Sequence, residues 1–388
     1  MHDFAINAMS RLKQLPQKLK DKLTIRTQSH GLRSLDKVRS GIDFYSNDYL
    51  GLAKNSELLE KAHQYLLKQK MCLNGSTGSR LLSGNYLLFE QLESELAQIH
   101  KTEATLIFNS GYDANLGLLS CVPQRGDVII YDQLSHASIR DGMRLSHAKA
   151  IAFDHNNLQS LENKLIKHSQ SKYEHQTLYV VTESIFSMDG DAPELHKMVG
   201  LCKKYHAHLI VDEAHALGVF GLGLVQKQGL QEDVFARIIT FGKALGCHGA
   251  VILGSQSLID YLINFARSFI YTTALPPMAL AHIKIAYGYL EKSSSQQLRS
   301  NIIYFKNVIG KLKMSDKFIE SDSAIQSCII SGNDRVKSTA SKIQEQNFNV
   351  KAILSPTVPE GQERLRFCIH SFNTQNDIRT VLGLLKNI

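Results

Sequence analysis

Nowhere in these 388 residues is there a run of about 18 apolar residues of the kind a membrane-spanning helix requires, which argues against a membrane partner. The opening stretch, MHDFAINAMSRLKQLPQKLKDKL, lacks the apolar core and small-residue cleavage site of a secretory signal. Asp3 and Asp21 are out of keeping with a transit peptide, so it reads as an amphipathic arm helix. Cysteine is sparse: Cys72, Cys121, Cys202, Cys247, Cys328 and Cys368 are scattered without C-x-x-C spacing. That excludes an obvious zinc site or disulfide frame and suits reduced thiols in a cytoplasm. Cys247, close after Lys243, reads as a small packed residue.

Other patterns are incomplete. Gly218 to Gly223 contains G-x-G but not the strand, G-x-G-x-x-G and helix context of a dinucleotide site. Asp189-Gly190-Asp191 lacks the further ligand spacing of a calcium loop and reads as a turn before a helix near Pro193, with no metal expected. The net charge of +8 raises nucleic acid as a partner, yet no basic block with interleaved aromatics supports it. Lysines are spread along stretches such as Lys18 to Lys22 and Lys306 to Lys317, and a positive surface would suit an anionic substrate.

What is present is ordinary globular material, 43% hydrophobic and 21% charged, long enough for two cores. The informative stretch runs from His208 to Gly246. Leu209-Ile210-Val211 ends on Asp212, Glu213 and His215, and Ile238-Ile239-Thr240-Phe241 delivers Gly242-Lys243. Both runs are brief and β-branched, as buried strands of a parallel sheet are, and their polar ends fall where a ligand crevice would lie. An Asp and a Lys at neighbouring strand ends can be a plain ion pair. They are also the two groups pyridoxal phosphate chemistry needs: a lysine to hold the aldehyde as a Schiff base and a carboxylate to keep the pyridine nitrogen protonated.

Around this stretch, Leu87 to His100 has helical spacing, and strands are expected at Ala104 to Phe108, Asp127 to Tyr131 and Leu178 to Val181. Longer amphipathic helices follow at Ala281 to Leu290, Leu298 to Leu312 and Asp334 to Gln346. After Phe108, a turn at Asn109 to Asn115 opens a helix. Its free N–H groups at Ser110, Gly111 and Tyr112 suit a phosphate, although a plain strand-to-helix turn would look similar. Phe44 to Gly51 reads as a short strand ending in an Asx-type turn. Gly75 to Asn85 is a glycine- and hydroxyl-rich loop.

The segments VDEAHALGVFG and TFGKALGCHGA resemble the cofactor core of the α-oxoamine synthases, pyridoxal enzymes that condense an amino acid with an acyl thioester and release carbon dioxide. The likeness extends from about Phe44 to Ser371. It implies an α/β protein of the pyridoxal phosphate-dependent transferase fold (aspartate aminotransferase-like, fold type I). That fold has a mostly parallel large-domain sheet and a smaller α+β C-terminal domain. The expected division is an arm over 1–45, a cofactor domain over 46–285 and a small domain over 286–388.

By the same resemblance, Lys243 forms the Schiff base, Asp212 meets the pyridine nitrogen, His215 the ring oxygen and His136 the ring face. Lys243, His136 and Asp212 are then the catalytic set. Ser110, Gly111, Tyr112 and Thr240 would hold the phosphate, with Glu183 and Ser187 beside the pocket. Thr272 or Thr273 would reach the partner subunit's phosphate in a homodimer. Arg366, rather than Arg364, matches the carboxylate clamp, with Asn47 beside it. Ser79 in the glycine loop, and Arg26 and Arg33 in the arm, are candidates near the acyl substrate, although a solvated arginine is the plainer reading for the last two.

The loop wording and the short Gly246-Cys247-His248-Gly249-Ala250 segment fit the branch that joins L-alanine to a pimeloyl thioester, on coenzyme A or acyl carrier protein. Members using glycine or serine are the alternative, and a non-catalytic binding protein on the same fold is a remote one. Three departures stand out. Phe89 occupies a position where the family usually has histidine, Leu354 stands where some relatives carry an additional arginine, and the Gly218 to Gly223 loop is short.

Overall fold

The central strands are apolar in runs because both of their faces are covered. Consecutive residues alternate between two cores: Leu209 and Val211 pack in one and Ile210 in the other, as do Val180 against Tyr179 and Val181, and Ile239 against Ile238. The computed structural model describes residues 15–29, 31–32, 35, 40–169, 175–290 and 293–388. Arg33 and the first 14 residues of the proposed arm lie outside them.

Seven strands form the large sheet: β2 (Ala104–Phe108), β3 (Val128–Asp132), β4 (Lys149–Phe153), β5 (Leu178–Glu183), β6 (Ala207–Asp212), β7 (Ala236–Thr240) and β8 (Ala250–Gly254). Their spatial order is β2-β8-β7-β6-β5-β3-β4. The pairs from β7 to β4 are parallel, and β8 runs antiparallel to both of its neighbours. The sheet is therefore mostly parallel, and β5, β6 and β7 end along one edge. Register places Glu183 beside Asp212 and Asp212 beside Ile238, so Thr240 stands just beyond them.

A second, three-stranded antiparallel sheet has the order β11 (Lys351–Ile353), β12 (Arg364–Cys368), β9 (Ile325–Ile329). It is backed by helices Ser293–Lys311, Asn333–Glu345 and Gln375–Lys386. The last starts with a capping box between Thr374 and Asp377. The two remaining strands, β1 (Ile42–Asp43) and β10 (Phe348–Asn349), pair in parallel. Cys368 N donates to the Phe44 carbonyl at 2.7 Å and Ser371 N to that of Tyr49 at 2.9 Å, so the segment from Ile42 to Tyr49 is fastened to the C-terminal part. This lays Asn47 and Tyr49 against β12 across the mouth of the large sheet.

Candidate active site

The turn after β7 brings Lys243 to the site, and its path is set by close packing. Gly246 has φ 61°, and a Cβ there would stand 2.3 Å from Ala53 N, so only glycine lets this turn lie against the Asn47 to Ala53 loop. The half-buried Lys243 Nζ then sits 2.8 Å from His215 Nε2. Burial pushes the Lys243 ammonium down to about 8, against the opposing pull of Asp212 and Glu183. His215 is held well below its ordinary value by burial and by the charges of Lys243, Arg366 and His136, so its imidazole is neutral.

Asp212, at the end of β6, is buried. Its Oδ2 accepts from Asn115 Nδ2 at 2.7 Å and its Oδ1 from Ala214 N at 2.8 Å. Burial and the adjacent Asp212 push the Glu183 carboxyl up to about 8, so Glu183 keeps its proton at neutral pH. Its Oε1 accepts from His136 N at 2.7 Å, which ties the His136 turn to the strand ends. The His136 ring, with Nδ1 2.8 Å from Ser138 Oγ, opens onto a cavity of about 330 Å³ lined also by Phe186, Ser187, Asp189, Val358 and Arg364.

On the opposite side, Arg366 projects from β12. Its Nε donates to the Ser187 carbonyl at 2.8 Å, Nη1 to Cys368 Sγ at 2.9 Å and Nη2 to Asn47 Oδ1 at 3.0 Å. Asn47 is therefore not the residue that makes its turn. Asp43 does so, accepting from Tyr45 N and Ser46 N at 2.9 and 3.0 Å. Arg364, on the same face of the strand, ion-pairs with Asp189, and its charge is already met.

Ser110 caps helix Gly111–Cys121 through Asp113 N. A Cβ on Gly111 would stand 3.4 Å from Thr240 Cβ, so the helix N-terminus and the Thr240 hydroxyl adjoin. The Tyr112 side chain leads outward to Asp141, leaving its backbone N–H at the helix start. Asn109 donates to Thr272 Oγ1 at 3.0 Å and to the Thr273 carbonyl at 2.8 Å, which sets both threonines beside this turn.

With this geometry in hand, the sequence profile of the aminotransferase class I and II family matches residues 39–384. The chain belongs to that family. It is 40% identical over 369 residues to the 8-amino-7-oxononanoate synthase of Emericella nidulans, covering 90% of this chain and 89% of that protein. Among solved structures, the serine palmitoyltransferase of S. paucimobilis with bound PLP–myriocin superposes with a TM-score of 0.85 at 25% identity, covering 96% of each chain. The 8-amino-7-oxononanoate synthase of Francisella tularensis gives 0.75 at 30% identity, covering 90% of this chain and 97% of that one. The motif resemblance to α-oxoamine synthases is borne out by these relatives, and the mostly parallel large sheet with a smaller C-terminal sheet is the aminotransferase-like fold.

The cofactor of this family member is pyridoxal phosphate, and the residues present fit it. A lysine whose ammonium is destabilised by burial faces a buried carboxylate, with a capped helix N-terminus and a threonine hydroxyl adjoining at one end of the group.

Not every expected residue joins this cluster. Arg26 is exposed on helix Gln17–Gln28, none of whose residues is buried. Ser79 lies in the glycine loop, where the Gly78 carbonyl accepts from Ala274 N. Phe89 packs 4.1 Å from the Arg80 guanidinium, which ion-pairs with Glu93, so the ring supports the glycine loop, to which Arg80 belongs, rather than the cluster. Gly190, with φ 82°, explains the Asp189-Gly190-Asp191 turn: a Cβ there would meet the Ile325 carbonyl at 2.3 Å. Burial pushes the Cys247 thiol up to about 12, in keeping with a packed residue. Two site residues carried no signal of their own in the sequence: Tyr49, 2.7 Å from His215 Nδ1, and Asn115, on Asp212.

Proposed function

We propose that the protein is a pyridoxal phosphate-dependent acyltransferase acting as an 8-amino-7-oxononanoate synthase. It joins L-alanine to a pimeloyl thioester, carried on coenzyme A or acyl carrier protein, and releases carbon dioxide and the free thiol. The observation that carries this reading is the Arg366–Asn47 contact at 3.0 Å beside the Lys243–His215 pair, a carboxylate receptor next to a proton-transfer group. It occurs in a chain 40% identical to a synthase of that name.

Bound at this cluster, pyridoxal phosphate supplies the sink for the electron pair left on the amino-acid α-carbon, first when a proton departs and later when carbon dioxide does. The chain's own groups do the rest. Arg366 offers its guanidinium face and Asn47 its amide to the alanine carboxylate, which orients the α-carbon hydrogen. Lys243 takes that proton and returns one at the end, a role suited to an amine that titrates near 8. Asp212 would hold the proton on the cofactor's ring nitrogen and His215 would meet its ring oxygen, with Ser187 beside the pocket. Ser110, Gly111, Tyr112 and Thr240 hold the phosphate, joined by Thr272 or Thr273 from the partner subunit of a homodimer.

His136 covers the ring face, Glu183 holds the His136 turn, and the cavity beside them admits the acyl group; Ser79 and Arg26, which do not line that cavity, are the candidates for contact with the rest of the acyl thioester. Residues 286–388 act as the small domain over the crevice, with 1–45 as arm and 46–285 as cofactor domain. A cytoplasmic setting matches this substrate chemistry, and no helix among the described residues is long and apolar enough to cross a membrane.

A serine palmitoyltransferase-like activity is the second reading, favoured by the higher TM-score of 0.85 to that enzyme. One assay separates them: alanine, glycine and serine are each offered with pimeloyl, short and long acyl thioesters, and the ketone is identified by mass. Alanine with pimeloyl should be turned over fastest. Faster condensation of serine with a long acyl group, or of glycine with a short one, would overturn the assignment.

A further inference from the structure

Helices are usually capped by a hydroxyl, carboxylate or amide side chain, but helix Ala137–Leu145 is capped by the His136 imidazole. The backbone N–H of Ser138 donates to His136 Nδ1 at 3.2 Å. A main-chain N–H can only donate, so Nδ1 is an acceptor and carries no hydrogen. The Ser138 hydroxyl stands 2.8 Å from the same nitrogen, and its direction is set from its other side. Asn115 Nδ2 lies 2.7 Å from Asp212 Oδ2 and 3.0 Å from Ser138 Oγ. A carboxylate only accepts, and turning the amide over would set two oxygens against each other. The amide nitrogen therefore gives one hydrogen to Asp212 and one to Ser138, which leaves the hydroxyl hydrogen for Nδ1. Both ends of the series, a carboxylate and a main-chain N–H, have a sense that cannot reverse.

We propose that Ser138 is a positioning residue whose hydroxyl and backbone N–H together lock His136 as the Nε2–H tautomer, so that this ring offers the crevice a hydrogen and not a lone pair. Nε2 has no hydrogen-bond partner among the described residues, and the ring lines the cavity of about 330 Å³. A carbonyl or carboxylate oxygen of a substrate can accept there. A departing proton cannot be received there, which leaves proton transfer to Lys243. Asn115 and Ser138 are 2% and 1% exposed, so bulk water does not compete for these bonds. Burial already holds His136 below its ordinary value, and two donors on its lone pair oppose protonation further. The charges acting on the ring are Asp212 from β6, Lys243 from the turn after β7 and Asp141 from its own helix. Glu183 from β5 sits on its backbone N–H, and Arg140, Asp189 and Arg364 share the cavity with it.

This inference rests on the placing of His136 over the cofactor ring, but its readout does not depend on which amino acid or acyl group is the substrate. The test is an NMR titration of the cofactor-loaded enzyme labelled with ¹⁵N-histidine, with His136 assigned by the signals lost in His136→Gln. Wild type at neutral pH should show hydrogen on Nε2. Ser138→Ala removes one donor to Nδ1 and should raise the pH midpoint of the ring by about half a unit to one unit. Ser138→Thr keeps the hydroxyl and should return the midpoint to that of wild type. Hydrogen on Nδ1 in wild type would overturn the proposal, as would a midpoint unchanged in Ser138→Ala. Should that variant fail to fold, the wild-type tautomer alone decides. Spectra taken before and after cofactor addition keep the two readings apart: a ring that does not cover the cofactor keeps its carbon-bound proton shifts, while its tautomer is still read from the nitrogens.

Discussion

The two sides of the site are assembled from opposite kinds of sequence. The floor comes from adjacent strand ends: His215 and Lys243, 28 residues apart, meet because β6 and β7 are neighbours in the sheet. The clamp comes from the two ends of the chain, with Asn47 and Arg366 separated by 319 residues. The floor is fixed by a parallel register that the sheet's two cores over-determine. The clamp exists only because the Ile42 to Tyr49 segment is stitched to β12 and its surroundings. Chemistry at the floor is therefore expected to be rigid, and recognition at the clamp to depend on how the C-terminal part is seated.

The largest effect that would sharpen this contrast is at the floor itself. Lys243→Ala should lower turnover by at least about a thousandfold while leaving the fold intact, measured as steady-state rate alongside far-ultraviolet circular dichroism. Next is the support beneath the floor. Arg237 and Glu213 form an ion pair with side chains 2% and 0% exposed, and Glu213 also accepts from Val225 N at 2.9 Å. Arg237→Met strands that carboxylate and should cost about 3–5 kcal/mol in urea unfolding. A loss below about 1 kcal/mol would mean the floor is not braced this way.

At the clamp, Arg366→Lys keeps the charge but loses the planar fork. It should raise KM for the amino acid roughly 10- to 100-fold. Arg364→Lys, whose partner is Asp189, should leave that KM nearly unchanged. Equal effects at both positions would erase the distinction between them.

The smallest effect lies at the seam between the two sides. His155 bridges Asp132, 2.9 Å from Nδ1, and Asp191, 2.8 Å from Nε2, joining the turn after β3 to the loop that carries Ser187. Although burial opposes its charge, the two carboxylates raise the His155 imidazole to about 9. A group raised on folding stabilises fully below its unfolded value near 6.5, and that gain is lost as pH rises through the folded value. The margin of wild type over His155→Gln should thus be about 1–2 kcal/mol at pH 6 and vanish above about pH 9. Because Lys243 titrates in both proteins, its contribution cancels in the difference. A margin that does not change with pH would show that His155 acts without its charge.

The contrast also explains what could be read from the sequence. The strands ending on Glu183, Asp212 and Thr240, the last leading to Lys243, were legible because their pattern is local and two-sided burial leaves apolar runs. Helix Leu87–His100 and strand Ala104–Phe108 were legible for similar reasons, one by its period and one by its length. Tyr49 was not, because nothing within a few residues of it indicates that a histidine 166 positions later will stand 2.7 Å away. Asp43 and Asn47 can both make an Asx turn, and which does so is decided by remote Arg366 claiming the amide. Likewise, Phe89 acquires its purpose only once Arg80 is stacked on it.

The central claim is that Lys243 is the residue that takes the cofactor's aldehyde. It is tested most directly by loading the protein with pyridoxal phosphate, reducing it with borohydride and mapping the peptides by mass spectrometry. A single phosphopyridoxyl group on Lys243, absent from the Lys243→Ala protein, is the predicted result. A group carried on a different lysine, or none at all on a folded protein, would contradict the account.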